Sequence, residues 1–243
     1  DAYATFGDLI DAFRARLDEE AKKPGLVFYK SVIAYLTGLA VGTPTEGEAI
    51  NAWKARPGFR DPQEKILRDF LFRETALKAI EHDKPFQIHT GHTGVGQPWR
   101  NANPIELTSF FNSPGMDDVR FVLVHGGYPF NTEAGHMTVA YPNVFLDFSL
   151  MIPWSSIGIA RRIEMTLEQA PTSKLMYGSD GIVAPEMYWI SAKNGKRALG
   201  QVLDGLLAQD VIDEADGIEI AHDILHRTAK RVYGVDITST EIA

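Results

Sequence analysis

Apolar positions along the chain switch repeatedly between a helical and a strand rhythm. Phe6, Leu9, Ile10, Phe13 and Leu17 recur at helical spacing, Pro24-Gly25 breaks the pattern, and Leu26-Val27-Phe28-Tyr29-Lys30 follows as a strand. Residues 45–82 scatter Ile50, Trp53, Ile66, Phe70, Leu71, Leu77 and Ile80 among charges and prolines, which predicts two or more helices covering the outside of the fold. A second strand ends at His89. Asn103-Pro104 caps a helix that runs through Phe111, and a third strand ends at His125. Glu133 to Ala140 reads as a short helix, Val144-Phe145-Leu146-Asp147-Phe148 as a strand and Ile157 to Gln169 as a helix. A last strand ends near Asp180. Beyond it Leu199, Val202, Leu203 and Leu206 share one helical face, as do Ile220, Ile224, Leu225, Ala229 and Val232, with Gly234 closing the final helix.

The strand ends at Lys30, His89, His125, Asp147 and Asp180 stand 59, 36, 22 and 33 residues apart. A βα unit takes roughly 30 residues, so the later gaps each hold one unit and the first holds an extra helical insertion. The chain is therefore read as parallel α/β. A closed (β/α)8 TIM barrel needs eight strands, typically in about 250 residues, whereas 243 residues here yield five. Either the first strands are missing or the sheet is open. No repeat, low-complexity tract or Gly/Ser linker divides the sequence, so residues 1–243 are taken as one domain.

Composition narrows the picture a little. With 44% hydrophobic and 23% charged residues the chain can bury a full core. Its net charge of −8 and the lack of a clustered Lys/Arg footprint argue against nucleic acid. No apolar run approaches the roughly 20 residues a bilayer requires. Zero cysteines exclude disulfides, thiolate zinc sites and a Cys nucleophile. The opening residues lack the basic stretch and apolar core of a signal peptide, and the chain is read as cytoplasmic. Without an initiating Met it also reads as processed or incomplete. A homo-oligomer is compatible with these properties.

Three segments carry chemistry: Phe86-Gln87-Ile88-His89-Thr90-Gly91, Phe121-Val122-Leu123-Val124-His125-Gly126-Gly127 and Lys174-Leu175-Met176-Tyr177-Gly178-Ser179-Asp180. Parallel barrel strands deliver side chains to a shared rim in this way. Two imidazoles from neighbouring strands and a carboxylate from the last can complete one face of a divalent-metal site. Such a site polarises a carbonyl and activates water, with Asp180 as general base. The small residues after each His permit close backbone approach. Other motifs are weaker. His92 and His136 stand alone, and His222 and His226 form an i,i+4 pair on a late helix, placed on the surface. No Gly-x-Ser-x-Gly elbow supports a serine nucleophile. Gly91-His92-Thr93-Gly94-Val95-Gly96 lacks the spacing of a phosphate loop and reads as a rim loop.

At this point the sequence resembles a known family. Tyr29-Lys30-Ser31-Val32-Ile33-Ala34-Tyr35, Ile88-His89-Thr90-Gly91, Asn103-Pro104, Val124-His125-Gly126-Gly127-Tyr128-Pro129, Tyr141 to Asp147, Ala170 to Asp180 and the closing Arg231-Val232-Tyr233-Gly234 are similar, in order, to the amidohydrolase superfamily. The resemblance is to its metal-dependent TIM-barrel branch of amidohydrolase-2 type, which includes the amidohydrolase-like domain fused to glutamine synthetase in fungi and plants. It implies that His89 belongs to strand five, His125 to strand six and Asp180 to strand eight, around a divalent metal, zinc or alternatively manganese. Lys30 then falls at the end of strand four, where some members carry a carboxylated, metal-bridging Lys. Arg100 and Tyr128 are the candidate substrate-binding residues, Arg100 through a bidentate contact to a carboxylate. The family's first strand supplies a His-x-His pair, and this sequence contains none, so strands one to three are read as absent from it. The implied function is metal-dependent hydrolysis of a small amide, of γ-glutamyl type by resemblance. The alternatives are a metal-dependent non-oxidative decarboxylase of the same superfamily, with Phe130, Phe148 and Trp154 as aromatic wall, and a non-catalytic barrel that lost its first-strand ligands.

Overall fold

Short polar side chains set the helix starts. Thr5 Oγ1 accepts the Asp8 N–H at 3.1 Å while the Asp8 carboxylate accepts the Thr5 N–H at 2.8 Å. This reciprocal cap opens α1 (Phe6–Ala21). Thr45 and Glu48 open α2 (Glu46–Lys54) in the same way, and Asp213 and Asp216 open α9 (Glu214–His222). Asp61 caps α3 (Pro62–Glu81), with Pro62 in the first turn where its missing N–H costs nothing. The other helices are α4 (Thr108–Phe111), α5 (Asn131–Ala140), α6 (Met151–Ser155), α7 (Ile159–Leu167), α8 (Pro185–Ala208) and α10 (Thr228–Tyr233). The computed structural model describes residues 3–55, 58, 61–94, 98–182 and 184–235. Among them no helix is long and apolar enough to cross a membrane.

Five strands form one parallel sheet in sequential order: β1 (Tyr29–Ser31), β2 (Phe86–His89), β3 (Phe121–Val124), β4 (Val144–Asp147) and β5 (Leu175–Met176). Sequential parallel order with helical crossovers is barrel winding, so the expected α/β barrel fold is observed as a five-stranded segment. β2 and β3 are buried at every position, as strands covered on both faces require.

Register sorts the side chains. Tyr29, Phe86, Phe121 and Val144 lie in one row, and Ile88, Leu123, Leu146 and Leu175 in another on the same face, against the helices. There Phe86 packs on Phe72 with ring centroids 4.9 Å apart, and Phe121 stacks on Phe111 at 4.6 Å. The opposite face carries Lys30, Gln87, Val122 and Phe145, then His89, Val124, Asp147 and Met176. All the polar strand residues with chemical potential therefore share one face. Helices α2 and α3 form the expected cover within 45–82, where Phe6, Ile10, Ala49 and Phe70 make a satellite core.

Strand ends differ from the sequence reading for identifiable reasons. β1 is shifted to Tyr29–Ser31, because Leu26 N–H closes a turn onto the Lys23 carbonyl at 3.3 Å. β3 stops at Val124: His125 turns to φ 77° and gives its N–H to the Asp147 carboxylate at 3.0 Å. β5 stops at Met176, because Tyr177 N–H is taken by the Ile224 carbonyl at 2.7 Å. The helix expected over 157–169 is present as α7 (Ile159–Leu167), and a short helix α6 that the sequence reading did not include precedes it, the two divided near Ser156 at φ 37°.

Candidate metal centre

His89 ends β2 and His125 follows β3, so adjacent parallel strands bring the two imidazoles to one rim. Their ring centroids lie 4.5 Å apart, edge to face, and the residues are 2% and 1% exposed. The loops behind them must pack backbone on backbone. Gly91, at φ 60°, sits so close to the Tyr128 carbonyl that any Cβ would collide with it. Gly127, at φ 63°, would place a Cβ 2.7 Å from that of Ala134.

His125 is oriented by a hydrogen-bond chain. Its Nδ1 lies 2.8 Å from Ser149 Oγ, which donates to Asp147 Oδ1 at 2.6 Å. The same carboxylate oxygen accepts the N–H groups of His125 and Ser149, at 3.0 and 2.9 Å. Since the hydroxyl's one proton goes to Asp147, Ser149 accepts from Nδ1–H, and the lone pair of His125 is assigned to Nε2. His89 is held differently: its Nε2 lies 3.2 Å from the carbonyls of both Gly91 and His92, so Nε2 carries the proton and Nδ1 the lone pair. The ring of Tyr35 covers it at 4.2 Å.

Burial keeps both rings neutral. It pushes His89 down to about 4, and the Lys30 cation nearby adds to the effect. His125 falls to about 2, again through burial and then through its neighbours His89 and Lys30. Asp147 is pushed up by burial, against which its hydrogen bonds to Ser149 and His125 work. Two neutral imidazoles with oriented lone pairs are the protonation state a divalent metal requires. A third imidazole adjoins them. His92 is lowered by burial, its ring stacks on Tyr128 at 4.7 Å and 18°, and its buried Nε2 has no hydrogen-bond partner among the described residues. In protonation state and burial these imidazoles suit a divalent metal.

The other expected site residues are distributed around this pair. Lys30 shares the face of Gln87 and lines a cavity of about 400 Å³ with Gln87, Asp147, Ser149, Asp180 and Tyr233. Asp180 stands beyond β5 at φ 54°, close enough that its charge adds to the burial that raises Tyr35 and works against the burial that lowers His92. The donor atoms of His89, His125 and Asp180 do not gather within 4.8 Å of one another. Among the described residues only Asp18, Glu81 and His82 make such a group, and Lys78 already bridges its two carboxylates at 2.6 and 2.9 Å. Arg100 is exposed in the turn Trp99–Ala102. Tyr128 lies between elements of the rim: its carbonyl accepts the His92 N–H at 2.9 Å, and the Arg162 guanidinium sits 4.9 Å from its ring centre. Of the rim loop read at 91–96, Val95 and Gly96 lie outside the described residues. Sequence reasoning passed over Ser149, Tyr35 and His92 as members of the site, and the one signal for Ser149 was its place just after a strand ending in Asp147.

Residues 36–235 match the family model described as Amidohydrolase. Protein fluG of Emericella nidulans is 30% identical over 236 residues, which cover 91% of this chain and 27% of fluG. A putative metal-dependent hydrolase from Lactobacillus casei superposes with a TM-score of 0.85 at 27% identity, over 96% of this chain and 61% of that one. Glucuronate isomerase from Caulobacter crescentus superposes with a TM-score of 0.74 at 17% identity, over 96% of this chain and 52% of that one, a likeness of fold. The chain therefore spans about a quarter of the curated relative and about three fifths of the first of these structures.

Proposed function

The chain belongs to the amidohydrolase family, and from that premise we propose that it carries the site of a metal-dependent hydrolase acting on a small amide, of γ-glutamyl type. The observation that carries this reading is the pair His89 and His125, neutral, buried and 4.5 Å apart at neighbouring strand ends. We take residues 1–243 as one barrel-type unit.

In this reading His89, His125 and Asp180 hold zinc or manganese, with Lys30 as a further member. Bound there, the ion supplies a Lewis acid that polarises a carbonyl and eases loss of a proton from water. The chain's own residues do the rest. Ser149 and Asp147 fix the His125 ring so that Nε2 faces the site. Asp180, half-buried on the wall of the cavity, is the general base that takes the proton of the attacking water. Lys30 presents a cation on the same wall of that cavity, about 400 Å³ in volume, which adjoins the centre through Asp147 and Ser149 rather than through the two imidazoles themselves. Arg100 and Tyr128 are the rim residues assigned to the substrate's carboxylate.

Two measurements test the reading. Purified protein is expected to hold zinc or manganese that His89→Ala and His125→Ala lose, and a content under about 0.1 metal per chain would overturn it. In turnover of γ-glutamyl amides, heavy oxygen from labelled water is expected in the carboxylate product. Release of carbon dioxide without that label would instead indicate decarboxylation.

A further inference from the structure

The late helices carry a feature the barrel site does not use. Nδ1 of His222 and Nε2 of His226 lie 2.8 Å apart and share a hydrogen bond, with the rings edge to face at 86° and centroids 5.1 Å apart. Both residues are exposed. We propose that this pair is a second, surface site for a borderline divalent transition metal such as Cu2+, Ni2+ or Zn2+, independent of the barrel centre.

Two imidazole nitrogens bound at 2.0–2.1 Å and at a right angle are about 2.9 Å apart, which is nearly the separation observed. An ion seated to one side of the line between the two nitrogens can take the place of the shared proton, which passes through solvent to the outer nitrogen of the donor ring, so that both rings stay neutral and the ion retains water on its open positions. The backbone beneath is fixed. Asp223–Arg227 form one π turn, with Thr228 N–H bonded to the Asp223 carbonyl. Within it the Ile224 carbonyl is bonded to Tyr177 N–H at 2.7 Å, and Ile224, Thr228 and Val232 are buried. A π turn anchored to the end of β5 holds both histidines in place before any ion arrives. The neighbouring cation Arg227 is drawn aside to Asp223 at 3.9 Å. Imidazole donors and the stability order of divalent ions together favour Cu2+.

The test is Cu2+ titration of the purified protein by calorimetry, with paramagnetic resonance of the bound ion. The parent is expected to bind one equivalent more than the His222→Ala/His226→Ala double variant, with two-nitrogen coupling in its spectrum. Either single variant is expected to weaken that equivalent by roughly tenfold or more, because the second imidazole acts at a high effective concentration. His89→Ala/His125→Ala should retain this equivalent while losing the barrel's, so failure of one site is distinguished from failure of the other. Equal stoichiometry and affinity in parent and surface double variant would overturn the proposal. Both substituted positions are exposed, and matched far-ultraviolet dichroism confirms that the variants are folded.

Discussion

The hydroxyl of Ser149 lies 2.8 Å from Nδ1 of His125 and donates its own hydrogen bond to Asp147 at 2.6 Å. That relationship decides which nitrogen of His125 faces the site. Ser149→Ala removes the acceptor, leaves Nδ1–H buried without a partner and frees the ring to turn. Outer-shell partners of metal-binding histidines are typically worth 10–100-fold in metal affinity or activity, and a loss in that range is expected here. Equilibrium dialysis against the metal, together with turnover, reads it. Unchanged metal affinity would show that His125 is held by packing alone.

Acid sensitivity follows from the two buried rings. Burial lowers His89 to about 4 and His125 to about 2, whereas both titrate near 6.5 in the unfolded chain. Below 6.5 the unfolded state binds protons that the folded state refuses, so stability is full above that pH and falls as the pH drops toward 4. At pH 5 the loss is about 2 kcal/mol for each histidine. Thermal unfolding of metal-free protein between pH 7 and pH 5 should show the slope, and His89→Gln should flatten it. A slope identical in the variant would assign the effect to other groups.

Gly91 tests the packing of the rim. Its φ of 60° and its contact with the Tyr128 carbonyl leave no space for a side chain. Gly91→Ala combines left-handed strain with a backbone collision and is expected to cost about 2–4 kcal/mol. Urea denaturation should show a lowered midpoint with an unchanged slope. The equivalent change at Gly94, where nothing lies within 4 Å of an added Cβ, should cost well under half as much.

The parts of this arrangement that were legible in the sequence are those encoded locally. Apolar runs ending in His89 and His125 announce their strands, and Asn103 announces a helix start that its cap then realises. What the sequence withheld depends on register between distant segments. Ser149 reaches His125 only because β3 and β4 pair with Leu123 beside Leu146. β5 is cut short by Ile224, which lies far along the chain and exposes its carbonyl through a π turn that no local pattern signals. His92 was hidden in a glycine-rich stretch, and its place beside the site follows from the stacking of its ring on Tyr128.

Asp180 offers the cleanest separation of chemistry from fold. It sits at φ 54°, a left-handed conformation that Asn adopts as readily as Asp, and its carboxylate makes no hydrogen bond or ion pair among the described residues. Asp180→Asn therefore keeps shape and backbone while removing the charge, the basic oxygen and the carboxylate ligand, so turnover is compared at saturating metal. Stability of the metal-free protein should change by less than about 1 kcal/mol, as for a half-buried side chain that has no hydrogen-bond partner to lose. A general base contributes roughly 10²–10⁴-fold to rate, so kcat is expected to fall in that range, with KM changing far less. Full turnover in a normally folded, metal-loaded variant would remove Asp180 from the reaction and leave His92, whose buried Nε2 is without a partner among the described residues, as the group to test next.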